Sequence, residues 1–315
     1  LLDGTNARFL NLALFVVNPS TDQIALKKEI PFYQIGADQG FLPKVVRIKT
    51  GEQIALIPGI TEPVSNPNPN DPRALLMAPA ERVDVIIDFS SLRDGTVVRM
   101  INTAPDSPFG GFADVTPADS ATTGQVMQFV VKHALTGAEG STDGKTTPPK
   151  NLRLNVEQPL NQPVTTRQVS LNEDSSSVVC VGVDDAGNYL LPVKQIPCTE
   201  LNAVLFGPTA GKLGVVTGSL VSAVGNGLQW ADETGASQPV SVKLKSGARM
   251  TVNVTETPTR GDIEEWQIYN FTEDAHPIHL HQIRFEIVSR TLLDGTTMSL
   301  SGDLPPGEAG FKDMV

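Results

Sequence analysis

The sequence predicts an all-β protein of two domains, of sandwich or barrel type, and three observations predict it. Its apolar runs are short, rich in Val, Ile, Leu and Phe, and bounded by Gly, Pro, Asn or Asp, the pattern of closely spaced strands. Long helical periodicity is absent. A polar stretch, TGAEGSTDGKTTPPKN at 136–151, interrupts the pattern and offers almost nothing to bury, so it reads as an interdomain linker.

Along the chain, the first domain covers 1–135. RFLNLALFVV is its opening strand and NPSTD at 18–22 the turn that follows, by its Pro and Asn content. NPNPNDPR at 66–73 is an excursion loop, and VDVIIDF, TVVRMINT and QVMQFVVK are further strands. The second domain covers 152–315, with VSVKL and RFEIVSR as strands. Between Ser175 and about Gly235 the text is rich in Gly, Ser and Val and reads as loops and short strands of unassigned pairing. The chain opens abruptly on LLDGTNARFL and closes on GFKDMV, so both ends are expected to have been cut from something longer.

Composition narrows the function classes. With 40% hydrophobic and 19% charged residues over 315 positions, the chain can bury two ordinary cores. A net charge of −11 with no offsetting Lys/Arg patch argues against nucleic acid as a partner. No apolar run approaches the ~18 residues of a membrane span. No GxSxG elbow, Walker loop or dinucleotide fingerprint supports acyl transfer or nucleotide chemistry. Cys180 and Cys198 enclose a loop and neither neighbours a histidine; they form a disulfide or remain two core thiols. A disulfide would indicate an oxidising compartment.

Histidine carries the strongest signal. Three of the four histidines, His276, His279 and His281, fall in HPIHLH. His133, at the end of QFVVKH, has no second ligand nearby and reads as a surface residue. After Pro277 the text HLHQIRFEIVS alternates, so His279 and His281 should project inward with Ile283, Phe285 and Ile287. Their backbones would stand about 6.5–7 Å apart, which suits two neighbouring metals or one metal with bent-in side chains. Pro277 fixes its own φ and restricts its predecessor, so His276 should aim elsewhere. Two bare imidazoles on an apolar face would each need a polar partner, which makes a metal-free reading costly.

HPIHLH resembles the upstream copper motif of the C-terminal domain of multicopper oxidases, the laccase and bilirubin oxidase superfamily. TETPTRGDIEEWQIYNFTEDAHPIHLHQIRFEIVSR is similar to that region of bacterial spore-coat-type laccases, and PPGEAGFKDMV to the segment after it. LLDGTNARFLNLAL, PFYQIGADQGFLP and LLMAPAERVDVIIDFS resemble the middle domain of the same subgroup, leaving about 160–240 unmatched. The resemblance implies two cupredoxin-like Greek-key β-sandwiches, the second incomplete at its C-terminal end. It implies copper as cofactor, with His276 on a type 1 copper, His279 on a type 2 copper and His281 on one of a type 3 pair. It further implies one-electron oxidation of phenols or aromatic amines coupled to reduction of dioxygen to water. An extracytoplasmic location (secreted, periplasmic or spore coat) follows from it as well.

Two of the family's ligand sets have no counterpart in this text: the terminal HCHxxxHxxxxM motif and the paired HxH motifs of the first domain. The chain by itself is therefore expected to be inactive, with copper absent or weakly bound. Two other classes compete with this reading. One is a non-catalytic β-sandwich scaffold that self-associates through exposed sheet edges. The other is a mononuclear metal protein using the same three histidines. Beside the motif, Trp266 and Ile268 share parity and are expected in the core, while Glu264, Glu265, Glu273 and Asp274 are expected as solvated surface. Asn253-Val-Thr and Asn270-Phe-Thr match the glycosylation pattern.

Overall fold

The computed structural model describes residues 1–49, 75–110, 116–119, 121–132, 147–175, 179–206, 209–218, 224–227, 238–243, 246–254, 256–290 and 306–315. His133, the 66–73 loop and residues 136–146 of the expected linker lie outside the described residues. The chain forms two compact units, Leu1–Pro159 with Asp274–Val315, and Leu160–Glu273. Among the described residues all regular structure is strand, apart from short 3-10 turns at Pro149–Asn151 and Pro306–Glu308. No described helix is long and apolar enough to cross a membrane.

The first unit contains β1 (Leu10–Asn18), β2 (Gln23–Ile30), β3 (Phe32–Ala37), β4 (Gly40–Ile48), β5 (Leu75–Met77), β6 (Val83–Ile87), β7 (Val97–Asn102) and β8 (Gln125–Val130). One sheet runs β2-β1-β7-β8, with β5 also paired to β1, and a second runs β4-β3-β6. The sheets close on one core, in which Leu12, Leu14, Met77, Val98 and Met100 meet Phe32, Leu42, Val46, Ile48 and Val83. This is the sandwich that the short, Gly- and Pro-bounded apolar runs require.

β1 is central, and its near-continuous run LNLALFVV is the signature of a strand buried on both faces. Leu12 and Leu14 point to the sandwich core, while Ala13 and Phe15 join Ile101 in a smaller cluster on the other face. The turn expected at NPSTD is present: Asn18 Oδ1 accepts from the Ser20 N–H at 3.0 Å, and Asp22 takes φ of 54°. Aspartate tolerates that left-handed conformation better than bulkier residues do.

The second unit contains β9 (Thr165–Ser175), β10 (Cys180–Gly182), β11 (Gln195–Ile196), β12 (Ala203–Leu205), β13 (Thr209–Thr217), β14 (Val224–Gly227), β15 (Gln238–Lys243), β16 (Arg249–Val254) and β17 (Glu264–Asn270). Its main sheet runs β14-β13-β9-β17, with β17 parallel to β9. β10 carries β11 and β12 on its two edges, and β15 and β16 form a hairpin. Cys180 and Cys198 are joined in a disulfide, which decides between the two states the sequence left open.

β17 departs from expectation. Its buried position is Tyr269, at 6% exposure, so Trp266 of opposite parity is exposed and Ile268 only half-buried. Trp266 instead lays its Nε1 on Glu264 at 3.0 Å. Glu264, expected in solvent, is held by Arg167 of β9 through two bonds of 2.6 and 2.8 Å, and that guanidinium keeps its carboxyl below the ordinary range.

Candidate metal centre

The histidine segment is built against the C-terminal residues of the first unit. Ahead of it, the Ala275 N–H donates to the Phe109 carbonyl at 2.7 Å, fixing the chain just before His276-Pro277. From Ile278 the chain runs antiparallel to 312–315. Ile278 and Val315 exchange both backbone hydrogen bonds, at 2.8 and 3.0 Å, and Phe285 and Lys312 exchange both at 2.8 Å. The bridged pairs are His279 with Met314 and Phe285 with Lys312, so the step from 279 to 285 on one side answers only 314 to 312 on the other. Gln282, at φ of 65°, lies in this excess length. The expected strand HLHQIRFEIVS is therefore interrupted, and its period-two alternation does not survive as a facing rule.

The consequence falls on the histidines. His279 and His281 stand side by side, ring centroids 4.8 Å apart and planes at 63°, but both are exposed where alternation predicted an inward pair. In the facing segment, by contrast, Phe311, Lys312, Asp313 and Met314 are all buried. His276 is half-buried and has contacts of its own. Among the described residues, no three His, Cys, Asp or Glu side chains come together as a metal site. The three-histidine mononuclear site therefore finds no cluster there.

His279 is oriented by a bond that the sequence did not announce. Its Nδ1 lies 2.8 Å from the Asp313 carbonyl oxygen, which also accepts the Leu280 N–H at 3.1 Å. A carbonyl can only accept, so Nδ1 carries a proton, and in the neutral ring the lone pair is then on Nε2. That is how a metal-ligating imidazole is commonly prepared, with one nitrogen held by an outer-shell acceptor and the other free. The pair borders an open depression of about 630 Å³ lined also by Gln39, Arg284 and Asp313. Arg284 closes one side, stacked 4.1 Å over the Phe311 ring and paired with Glu157 at 2.6 Å.

Beneath this surface lies a charged cluster. Arg82 grips the Asp313 carboxylate with two bonds of 2.7 and 2.8 Å, and Gln39 donates to the same group. Hydrogen bonding from Arg82 holds the Asp313 carboxyl below its usual range, against the opposing effect of burial. The Lys312 ammonium, 3% exposed, sits 2.8 Å from Asp38 and 3.0 Å from Glu81. Sequence reasoning missed these residues. Their signal was charge set in apolar text: Asp38 in GADQG, Glu81-Arg82 before VDVII, and Lys312-Asp313 in GFKDMV. A buried ion survives only with partners, so such residues imply one another without saying which pairs with which.

Two adjacent imidazoles, one with its tautomer fixed, fit copper or another borderline metal as a partial donor set. Comparison with known proteins points the same way. Residues 229–304, which contain HPIHLH, match the family described as multicopper oxidase. The chain is 25% identical to a laccase of Bacillus stratosphericus over 95% of its own length and 41% of the laccase. It is 25% identical to a laccase of Bacillus subtilis over the same shares of 95% and 41%. A multicopper oxidase of Oryza sativa subsp. japonica is 26% identical over 94% of this chain and 31% of its own. The chain thus spans about two fifths or less of the length of these relatives.

Proposed function

We propose that this chain, whose resemblance to the multicopper oxidases runs along nearly its whole length, is part of a copper-dependent oxidase that couples one-electron oxidation of phenolic or aromatic-amine substrates to reduction of dioxygen to water. The observation that carries the reading is His279, whose Nδ1 is committed to the Asp313 carbonyl and whose ring lies beside that of His281. In the proposed assignment His276 serves a type 1 copper, His279 a type 2 copper and His281 one of a type 3 pair. Copper, when bound, would supply the one-electron steps and the site of dioxygen reduction. This chain's own residues hold and orient two imidazoles at an open face, where ligands from elsewhere in a longer protein could complete the donor set.

The chain alone is proposed to be inactive, because two exposed imidazoles do not retain a metal against water as a full donor set does. Copper-supplemented chain should turn over no phenolic dye and show no intense absorption near 600 nm, about where a thiolate–copper centre absorbs. Either signal would overturn this. The Cys180–Cys198 disulfide supports an extracytoplasmic, oxidising location for the protein. As domains, we retain 1–135 and 152–315 about a 136–151 linker. Residues 274–315 pack in the same compact unit as 1–159, held there by the Lys312 and Asp313 cluster.

One observation favours the second reading, a scaffold that self-associates. β8 ends its sheet among the described strands, and Val126, Met127 and Val130 on it are 41, 47 and 52% exposed. An apolar strand with an open edge invites pairing.

A further inference from the structure

A backbone carbonyl can select one imidazole tautomer only if it is held still, and the Asp313 carbonyl is held by side chains on both of its flanks. On one side, the Asp313 carboxylate is gripped by both terminal nitrogens of Arg82, at 2.7 and 2.8 Å, and by Gln39. On the other, Lys312 is locked between Asp38 and Glu81 at 2.8 and 3.0 Å. The receiving residues are themselves connected: the Arg82 N–H donates to Asp38 Oδ1 at 2.9 Å. The chain also leaves no slack there. The Gln39 N–H donates to the Phe311 carbonyl at 3.1 Å, and a Cβ at Gly310 would sit 3.1 Å from the Phe41 carbonyl oxygen.

We infer that Arg82 and Asp313 are positioning residues for a metal at His279: their bidentate pair fixes the carbonyl that holds the proton on Nδ1 and so reserves Nε2 as the ligating nitrogen. The inference rests on the proposed role of His279 as a metal ligand. Neither residue touches the metal. The pair acts through the imidazole, in the way outer-shell partners fix ligand orientation and basicity. A planar guanidinium is suited to the task because both of its contacts must be made at once to fix an angle as well as a distance.

The experiment uses the full 315-residue chain with ¹⁵N-labelled histidine. Long-range ¹H–¹⁵N correlation at about pH 8, above the ordinary imidazole range, reads the neutral tautomer of each ring. His279→Gln assigns the signal. In the parent chain His279 should be the Nδ1–H form; Arg82→Met should turn it into a mixture, and Arg82→Lys, which keeps charge but not the fork, should fall between. Cu(II) alone, titrated calorimetrically, should bind Arg82→Met on the order of 10–100-fold more weakly. If Arg82→Met does not fold, Arg82→Lys and Asp313→Asn carry the same two measurements. An Nε2–H tautomer in the parent chain, or folded variants that leave tautomer and affinity unchanged, would overturn the inference. His279→Gln separates the two claims. If it leaves Cu(II) affinity unaltered, the ligand reading falls and takes the inference with it. If it weakens binding while the Arg82 variants do not, only the positioning claim falls.

Discussion

Lys312 places its ammonium 2.8 Å from the Asp38 carboxylate at a site where the lysine is 3% exposed and the aspartate side chain fully buried. Removing one partner of such a pair strands the other, which costs more than the pair is worth against an apolar replacement. Lys312→Met keeps most of the stem and removes only the charge, leaving the buried Asp38 and Glu81 carboxylates without the ammonium they share. We expect a loss of about 3–5 kcal/mol in chemical denaturation of the unit that contains them. A loss below ~1 kcal/mol would mean that the cluster is wetter or looser than its distances imply.

The same lysine sets an alkaline limit. Burial works to lower its pKa, but the charges of Glu81 and Asp38 and the hydrogen bonds to them prevail, so it lies above the ordinary value. A group raised on folding contributes stability that is complete below its unfolded pKa, about 10.4, and lost as pH rises through the folded value. The urea midpoint should therefore fall in the strongly alkaline range. Tyr269, raised chiefly by burial, contributes with the same sign, so the comparison that isolates Lys312 is between the parent chain and Lys312→Met. Identical alkaline profiles for the two proteins would refute the assignment.

The Cys180–Cys198 bridge closes a sequence separation of 18 around the small β10-β11-β12 sheet. A loop of that size is worth about 3 kcal/mol in the chain-entropy account. Replacing both cysteines with serine should raise hydrogen exchange at the Val183 and Phe206 amides, which donate to Asn202 and Val179 across this sheet. The amides of β1 in the other unit should be unmoved. Labelling of two free thiols in the unreduced chain would remove both this prediction and the support that the bridge gives to an oxidising compartment.

What the sequence could tell followed from local physics. Strand runs such as LNLALFVV and VVRMIN are legible because burial on a sheet face leaves a short-range apolar pattern, and the NPSTD turn because Asn and Asp shape their own backbone. The histidine pair was legible as a cluster, but its facing was not. Alternation assumes an unbroken strand, and the excess length around Gln282 is set by where 312–315 docks, not by residues 279–287. The Lys312–Glu81 and Arg82–Asp313 contacts each join positions 231 residues apart, so no window along the chain contains them. Trp266 failed for a related reason: which face of β17 is buried depends on β9, its parallel neighbour from 99 or so residues earlier, as the Gln168–Gln267 bond illustrates.

β8 supplies the last expectation. Among the described strands it pairs only with β7, and it keeps Val126, Met127 and Val130 exposed beside the well-buried β1 and β7. Unpaired N–H and C=O groups beside apolar side chains template a further strand, and natural edges are usually protected by lysine, proline or a bulge. The irregularity between Met100 and Ile101 lies in the β7–β8 register and leaves the outer edge of β8 unaltered. The chain should therefore form dimers or larger species as concentration rises. Val126→Lys with Val130→Lys should return it to monomer without lowering its denaturation midpoint, because neither side chain contributes to the core. Light scattering across a hundredfold concentration range decides the matter. A parent chain that stays monomeric throughout would leave β8 as a tolerated edge and remove the support for self-association.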